Sequence, residues 1–121
     1  MAWITGVATI LWFILMTYLS HQTGDGTART GRWITGVLKN VDEAFLRTAA
    51  HIGCFLILTV LLLTTLRLAK VPVLPGVLFA VLWAWGDEWT KQFISGRHYE
   101  LIDTVKNLIG VGVGCLVLLF L

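Results

Sequence analysis

Four long apolar runs, separated by polar stretches, set the plan of this 121-residue chain. Residues 3–20 hold no charged side chain. Residues 47–68, 73–93 and 102–121 are apolar through their middles and gather their charges at the ends. Each run is long enough to cross a hydrocarbon core of about 30 Å. A signal peptide is the rival reading of the first run. No basic n-region or A-x-A site accompanies it, so it is read as a span.

Between the first two runs, HQTGDGTARTGR (21–32) is glycine-rich and turn-forming. Beyond it Ile34, Val37, Leu38, Val41 and Phe45 recur at helical spacing, with Lys39, Asn40, Asp42 and Glu43 opposite. That pattern predicts a short amphipathic helix at the membrane surface. Pro72 and Pro75 lie near the start of the third run, where proline is tolerated. Trp83, Trp85 and Trp89 near its far end predict an interfacial aromatic belt. The expected fold is all-α: one domain, 1–121, of four transmembrane helices with an interfacial helix in the first loop.

Polar residues inside the runs are few, and their spacing is informative. Arg47 and His51 are four apart and share a helix face, as do Asp87 and Lys91, and Glu88 and Gln92. In the last run Asp103, Asn107, Gly110 and Gly114 fall on one narrow stripe, polar at the loop end and small further in. Gly110 and Gly114 form a GxxxG, which lets another helix approach closely and leaves a homo-oligomer open. Four spans put both termini on one side and the first and third loops on the other. All seven acids then belong to the loop side, with Arg47, His51 and Arg97.

Composition agrees with a membrane protein. Hydrophobic residues make up 57% and charged residues 13% of the chain, against about 25% charged in soluble domains. The net charge of +2 is mild and its basic residues are dispersed, which argues against nucleic acid. Cys54 and Cys115 lie in apolar runs without a CxxC spacing and read as small packing residues.

Taken together, these residues resemble the VanZ-like family. The resemblance rests on Arg47-x-x-x-His51, on Asp87-Glu88 with Phe93, Gly96 and Arg97, and on Asp103-x-x-x-Asn107-x-x-Gly110-x-x-x-Gly114. Ser20, Gln22 and Gly24 fit as well, so it extends from Ser20 to Gly114. One departure is Lys91, where the family commonly has Gln; here Gln92 follows one place later, and Lys91 could pair with Asp87. The resemblance implies a small multi-pass protein of the bacterial cell membrane, linked to lowered susceptibility to the glycopeptide teicoplanin. It also implies an extracytoplasmic polar face and cytoplasmic termini. The count of basic residues points the other way, with seven Lys/Arg on the loop side against two. The family's orientation is the one adopted here.

The expected site is a polar pocket at headgroup depth formed by Arg47, His51, Asp87, Glu88, Arg97, Asp103 and Asn107, with Arg97 paired to Asp103 or Glu88. Arginine suits a phosphate through two-point donation. The expected ligands are membrane lipid headgroups, a lipoglycopeptide or a lipid-linked wall precursor. Two alternatives stand beside this reading. One is a membrane-embedded enzyme with Glu88 as general base and His51 assisting. The other is a small exporter, which the acid-free first run disfavours. No catalytic residue and no cofactor are assigned. His51, Glu88 and Asp103 could meet at a metal, but no spacing requires one, and none is assigned.

Overall fold

The computed structural model describes residues 2–21, 32–33, 43–94 and 99–120. Those residues form four helices and no strand: α1 (Ala2–Ser20), α2 (Glu43–Leu68), α3 (Leu74–Lys91) and α4 (Leu101–Leu119). Three of them, over Ala2–Ser20, Phe45–Leu68 and Leu101–Leu119, are long and apolar enough to cross a membrane. α3 is 18 residues long and carries Asp87, Glu88 and Lys91 in its last two turns, which sets it apart from the other three.

Helix boundaries differ modestly from expectation. α2 begins at Glu43, four residues before Arg47, and takes in Phe45, which the sequence pattern assigns to a separate surface helix. The rest of that surface helix lies outside the described residues. α2 ends in a Schellman turn: Val71 N–H donates to Leu66 O at 2.9 Å and Lys70 N–H to Arg67 O at 3.0 Å. Lys70 takes the left-handed position of that turn, φ 58°. α3 then starts with proline in its first turn, where the missing N–H has no helical partner to lose.

The chain runs up, down, up, down. Phe13 packs on Phe79 and Trp83, and Ser20, two turns further on, donates to Asp87 Oδ1, which sets α1 parallel to α3. α2 and α4 also run in parallel and form the closest pair. A Cβ on Gly110 would meet the Ile52 carbonyl oxygen and Phe55 Cβ, and one on Gly114 would meet Thr59 Cβ at 2.8 Å and Leu56 O at 3.1 Å. The close helix approach of the GxxxG is thus made within the chain. Arg67 Nη1 donates to Leu118 O at 3.1 Å at the far end of the same pair. Trp12 Nε1 donates to Cys54 O at 3.0 Å and joins α1 to α2.

The core between the helices is small: Met16, Phe55, Leu58, Ala80, Ala84 and Val111. The outer surface is apolar instead. Ile10, Leu11, Tyr18, Leu82, Trp85 and Leu116 are all exposed. Meanwhile Asp87, Glu88, Lys91 and Asn107 are buried. Apolar outside and polar inside suits lipid, where facing outward costs an apolar side chain nothing. Of the three tryptophans expected in a belt, Trp85 and Trp89 face outward and stack at 5.5 Å. Trp83 instead turns inward against Phe13 and His21, because it lies on the side of α3 that faces α1.

Candidate functional site

Two stripes set the site. On α3, Gly76, Ala80, Ala84 and Glu88 follow one another at four-residue spacing, and all are buried. On α4, Asn107, Gly110 and Gly114 are buried in the same way. Each stripe is small along the bundle and turns polar at one end. Because α3 and α4 run in opposite directions, the polar ends coincide. α1 brings its last turn there, and α2 its third.

α3 supplies the charge. Lys91 Nζ lies 2.5 Å from Glu88 Oε1 and 3.4 Å from Asp87 Oδ2. Asp87 Oδ1 also accepts from Ser20 Oγ at 2.7 Å. His21, just past α1, places Nδ1 2.9 Å from Thr17 O and Nε2 2.7 Å from Thr90 Oγ1. Its Nδ1 is 3.7 Å from Asp87 Oδ1. These contacts fasten α1 to α3 and give both oxygens of Asp87 a partner. Glu88 is different: Oε2 is buried and, among the described residues, has no hydrogen-bond partner.

The second half of the site lies between α2 and α4. Asn107 Nδ2 donates to Ala84 O at 3.1 Å. A carbonyl can only accept, so that bond fixes which way the amide points. Asn107 Oδ1 therefore faces His51 Nδ1, at 2.8 Å, and must accept from it. The proton of the neutral imidazole is then on Nδ1. Nε2 is turned toward Asp103 Oδ1 at 3.8 Å, beyond hydrogen-bond length. Glu88 Oε1 stands 3.7 Å from the other side of the ring. Lys106 Nζ lies 3.6 Å from Asp103 Oδ1.

The structure thus brings together His51, Asp87, Glu88, Asp103 and Asn107 of the expected pocket. Arg47 is exposed on the first turns of α2 and is not drawn into the cluster. Arg97, and with it the pairing expected with Asp103 or Glu88, lies outside the described residues. Glu88 is held by Lys91 and not by Gln92, which is exposed. Ser20, His21, Thr90 and Lys106 were not in the expected pocket. The placement of α1's end on the loop side was the available signal for the first two. Three carboxylates, from Asp87, Glu88 and Asp103, face two ammonium groups, from Lys91 and Lys106. The described cluster is therefore short of positive charge and offers more acceptors than donors. No family model matches the chain, and comparison with curated proteins and with solved structures likewise gives no match.

Proposed function

We propose that the chain is a four-span, VanZ-like protein of the bacterial cell membrane whose inward polar cluster holds the head of a lipid-anchored molecule. α3 completes the fourth span: at 1.5 Å per residue its 18 residues reach about 27 Å, and its charges fall only at one end. The termini are cytoplasmic and the cluster opens at the outer face. There it meets a lipoglycopeptide of the teicoplanin kind or a lipid-linked wall precursor, and the cell becomes less susceptible to the drug.

The observation that carries this reading is the complete burial of Asp87, Glu88 and Asn107, with one oxygen of Glu88 unsatisfied. Charges cost several kcal/mol each to bury, roughly, and an intramembrane ionisable group marks a functional site by default. Helix-tying alone would not leave an acceptor open. The convergence of His51, Glu88 and Asp103 also supports a second reading, an enzyme that modifies the same headgroups. Mass spectrometry of lipids and wall precursors from expressing cells would reveal that product.

The deciding experiment is expression in a susceptible Gram-positive host, with growth inhibition by teicoplanin and vancomycin compared. A Glu88→Gln/Arg97→Gln variant at equal membrane abundance runs beside it. The reading expects reduced teicoplanin sensitivity that the variant loses. Unchanged sensitivity with well-expressed protein overturns it.

A further inference from the structure

We infer that His51, Glu88 and Asp103 form a binding site for one divalent transition metal ion, Zn²⁺ by ligand type. One ligand atom from each of the three lies within 4.8 Å of the others. Around a tetrahedral ion with bonds of about 2.0–2.2 Å, neighbouring ligand atoms are separated by about 3.4 Å. The 3.8 Å from His51 Nε2 to Asp103 Oδ1 is a few tenths of an ångström wider, while Glu88 Oε1 stands 3.7 Å from the proton-bearing Nδ1, so Glu88 must reach the ion with Oε2, the oxygen that Lys91 does not hold. Small side-chain adjustments close that gap.

Two independent features point to an ion. The first is the tautomer. Asn107, itself fixed by Ala84 O, accepts a hydrogen bond from His51 Nδ1–H and leaves the Nε2 lone pair facing a carboxylate oxygen. Two lone pairs face each other favourably only with a cation or a proton between them. Metal-binding histidines show this arrangement, with the second ring N–H held by a carbonyl oxygen that sets tautomer and direction. The second feature is Glu88. Its side chain is fully buried, Lys91 holds Oε1, and Oε2 has no partner among the described residues. A bound cation supplies the partner that this oxygen lacks.

Electrostatics permits the ion. Lys91 is shared between Asp87 and Glu88, and Lys106 touches only the outer carboxylate, Asp103. One histidine and two carboxylates suit Zn²⁺ or Mn²⁺ and leave at least one coordination position open. His51 and Asp103 are partly accessible from the polar end of the bundle, 16% and 14% exposed, against 1% for Glu88. The open position therefore faces the side where a headgroup would enter. The ion does not depend on which headgroup binds, and its test does not use drug susceptibility.

The experiment is metal binding to the detergent-purified full chain. After chelator treatment and desalting, Zn²⁺ or Mn²⁺ alone is added and followed by titration calorimetry, elemental analysis and thermal melting. The expected result is about one Zn²⁺ per chain and a raised melting midpoint. X-ray absorption should show a nitrogen and oxygen shell without sulfur. Asp103→Asn and Glu88→Gln should each weaken binding at least tenfold, while Cys115→Ala leaves it unchanged. Metal-free melting confirms which variants are folded, and Asp103→Asn at the rim is the one least able to disturb the fold. No stoichiometric metal on folded wild-type protein overturns the inference; a proton then bridges His51 and Asp103. Binding that survives both carboxylate changes overturns it too, by placing the ion elsewhere. Metal binding without any drug phenotype leaves this site standing and removes the susceptibility reading.

Discussion

Lys91 is ion-paired to Glu88 at 2.5 Å inside the helix bundle, with both side chains closed to solvent. The same ammonium reaches Asp87 at 3.4 Å. One cation is therefore shared by two adjacent carboxylates that would otherwise repel each other in a poorly screened interior. The pairing is geometrically simple, since residues three and four apart lie on one side of a helix.

Replacing Lys91 with Met should therefore be among the most damaging changes in the chain. It removes the cation and leaves two buried acids, at a cost of about 3–5 kcal/mol for breaking a buried pair from one side. Adding Glu88→Gln should recover part of that loss, because only Asp87 is then left unpaired. Unfolding of the two single variants and the double variant in detergent checks this. Strict additivity would mean that the pair does not act as a unit.

Asn107 is expected to be sensitive to substitutions that preserve its shape. Asn107→Leu leaves His51 Nδ1–H without its acceptor and should cost about 1–3 kcal/mol. Asn107→Asp keeps an oxygen for His51 but turns a second oxygen toward Ala84 O, where the amide now donates at 3.1 Å. The aspartate should therefore fail to rescue the leucine variant, despite being isosteric with the native residue. Melting midpoints of the three proteins decide the point.

Lys70 sits at φ 58° in the turn that closes α2. A side chain in the left-handed region costs roughly 1–2 kcal/mol, and glycine is the residue that removes the cost. Lys70→Gly should raise the melting midpoint slightly, or leave it unchanged where backbone entropy offsets the gain. Lys70→Val should lower it, since a branched Cβ worsens the strain. Position 70 closes the end of α2 opposite His51, so metal binding should not change in either variant.

Much of this was legible in the sequence, for identifiable reasons. Long apolar runs report helices directly, so α1 and α4 agree with expectation to within a residue or two. The stripe from Asn107 to Gly114 reports which side of α4 is inward, because polar and small residues both avoid lipid. Parity of the runs puts Ser20 on the same side as Asp87. What the pattern could not supply was partner choice. Glu88 has Lys91 and Gln92 at almost equal sequence distance, and only the rotation of α3 against α2 and α4 turns Lys91 inward and Gln92 out. Trp83 was misread for the same reason: composition places tryptophan at an interface, but not on a given side of a helix. The tautomer of His51 depends on an Ala84 carbonyl, which no residue pattern encodes.

The same rotation predicts unequal behaviour for two buried glycines. Gly110 faces backbone: an added Cβ would meet the Ile52 carbonyl oxygen, with Phe55 Cβ at 3.0 Å. Neither can move without shifting α2 as a whole. Gly76 also lacks room for a Cβ, but its neighbours are Leu66 Cδ1 at 2.6 Å and Leu63 Cδ2 at 2.9 Å. Those are the ends of flexible side chains, which can change rotamer. Gly110→Ala should therefore cost about 1–3 kcal/mol, the usual range for overpacking. Gly76→Ala should be nearly neutral, helped by the better helix propensity of alanine, worth up to about 1 kcal/mol. The consequence reaches the site, because Asn107 lies one turn from Gly110 and a displaced α4 would lengthen the bond to His51. Gly110→Ala should weaken metal binding as well as stability, while Gly76→Ala should alter neither by much. Melting and metal titration on the two variants measure both effects. A Gly110→Ala protein as stable as wild type would mean that α2 and α4 are not in backbone contact.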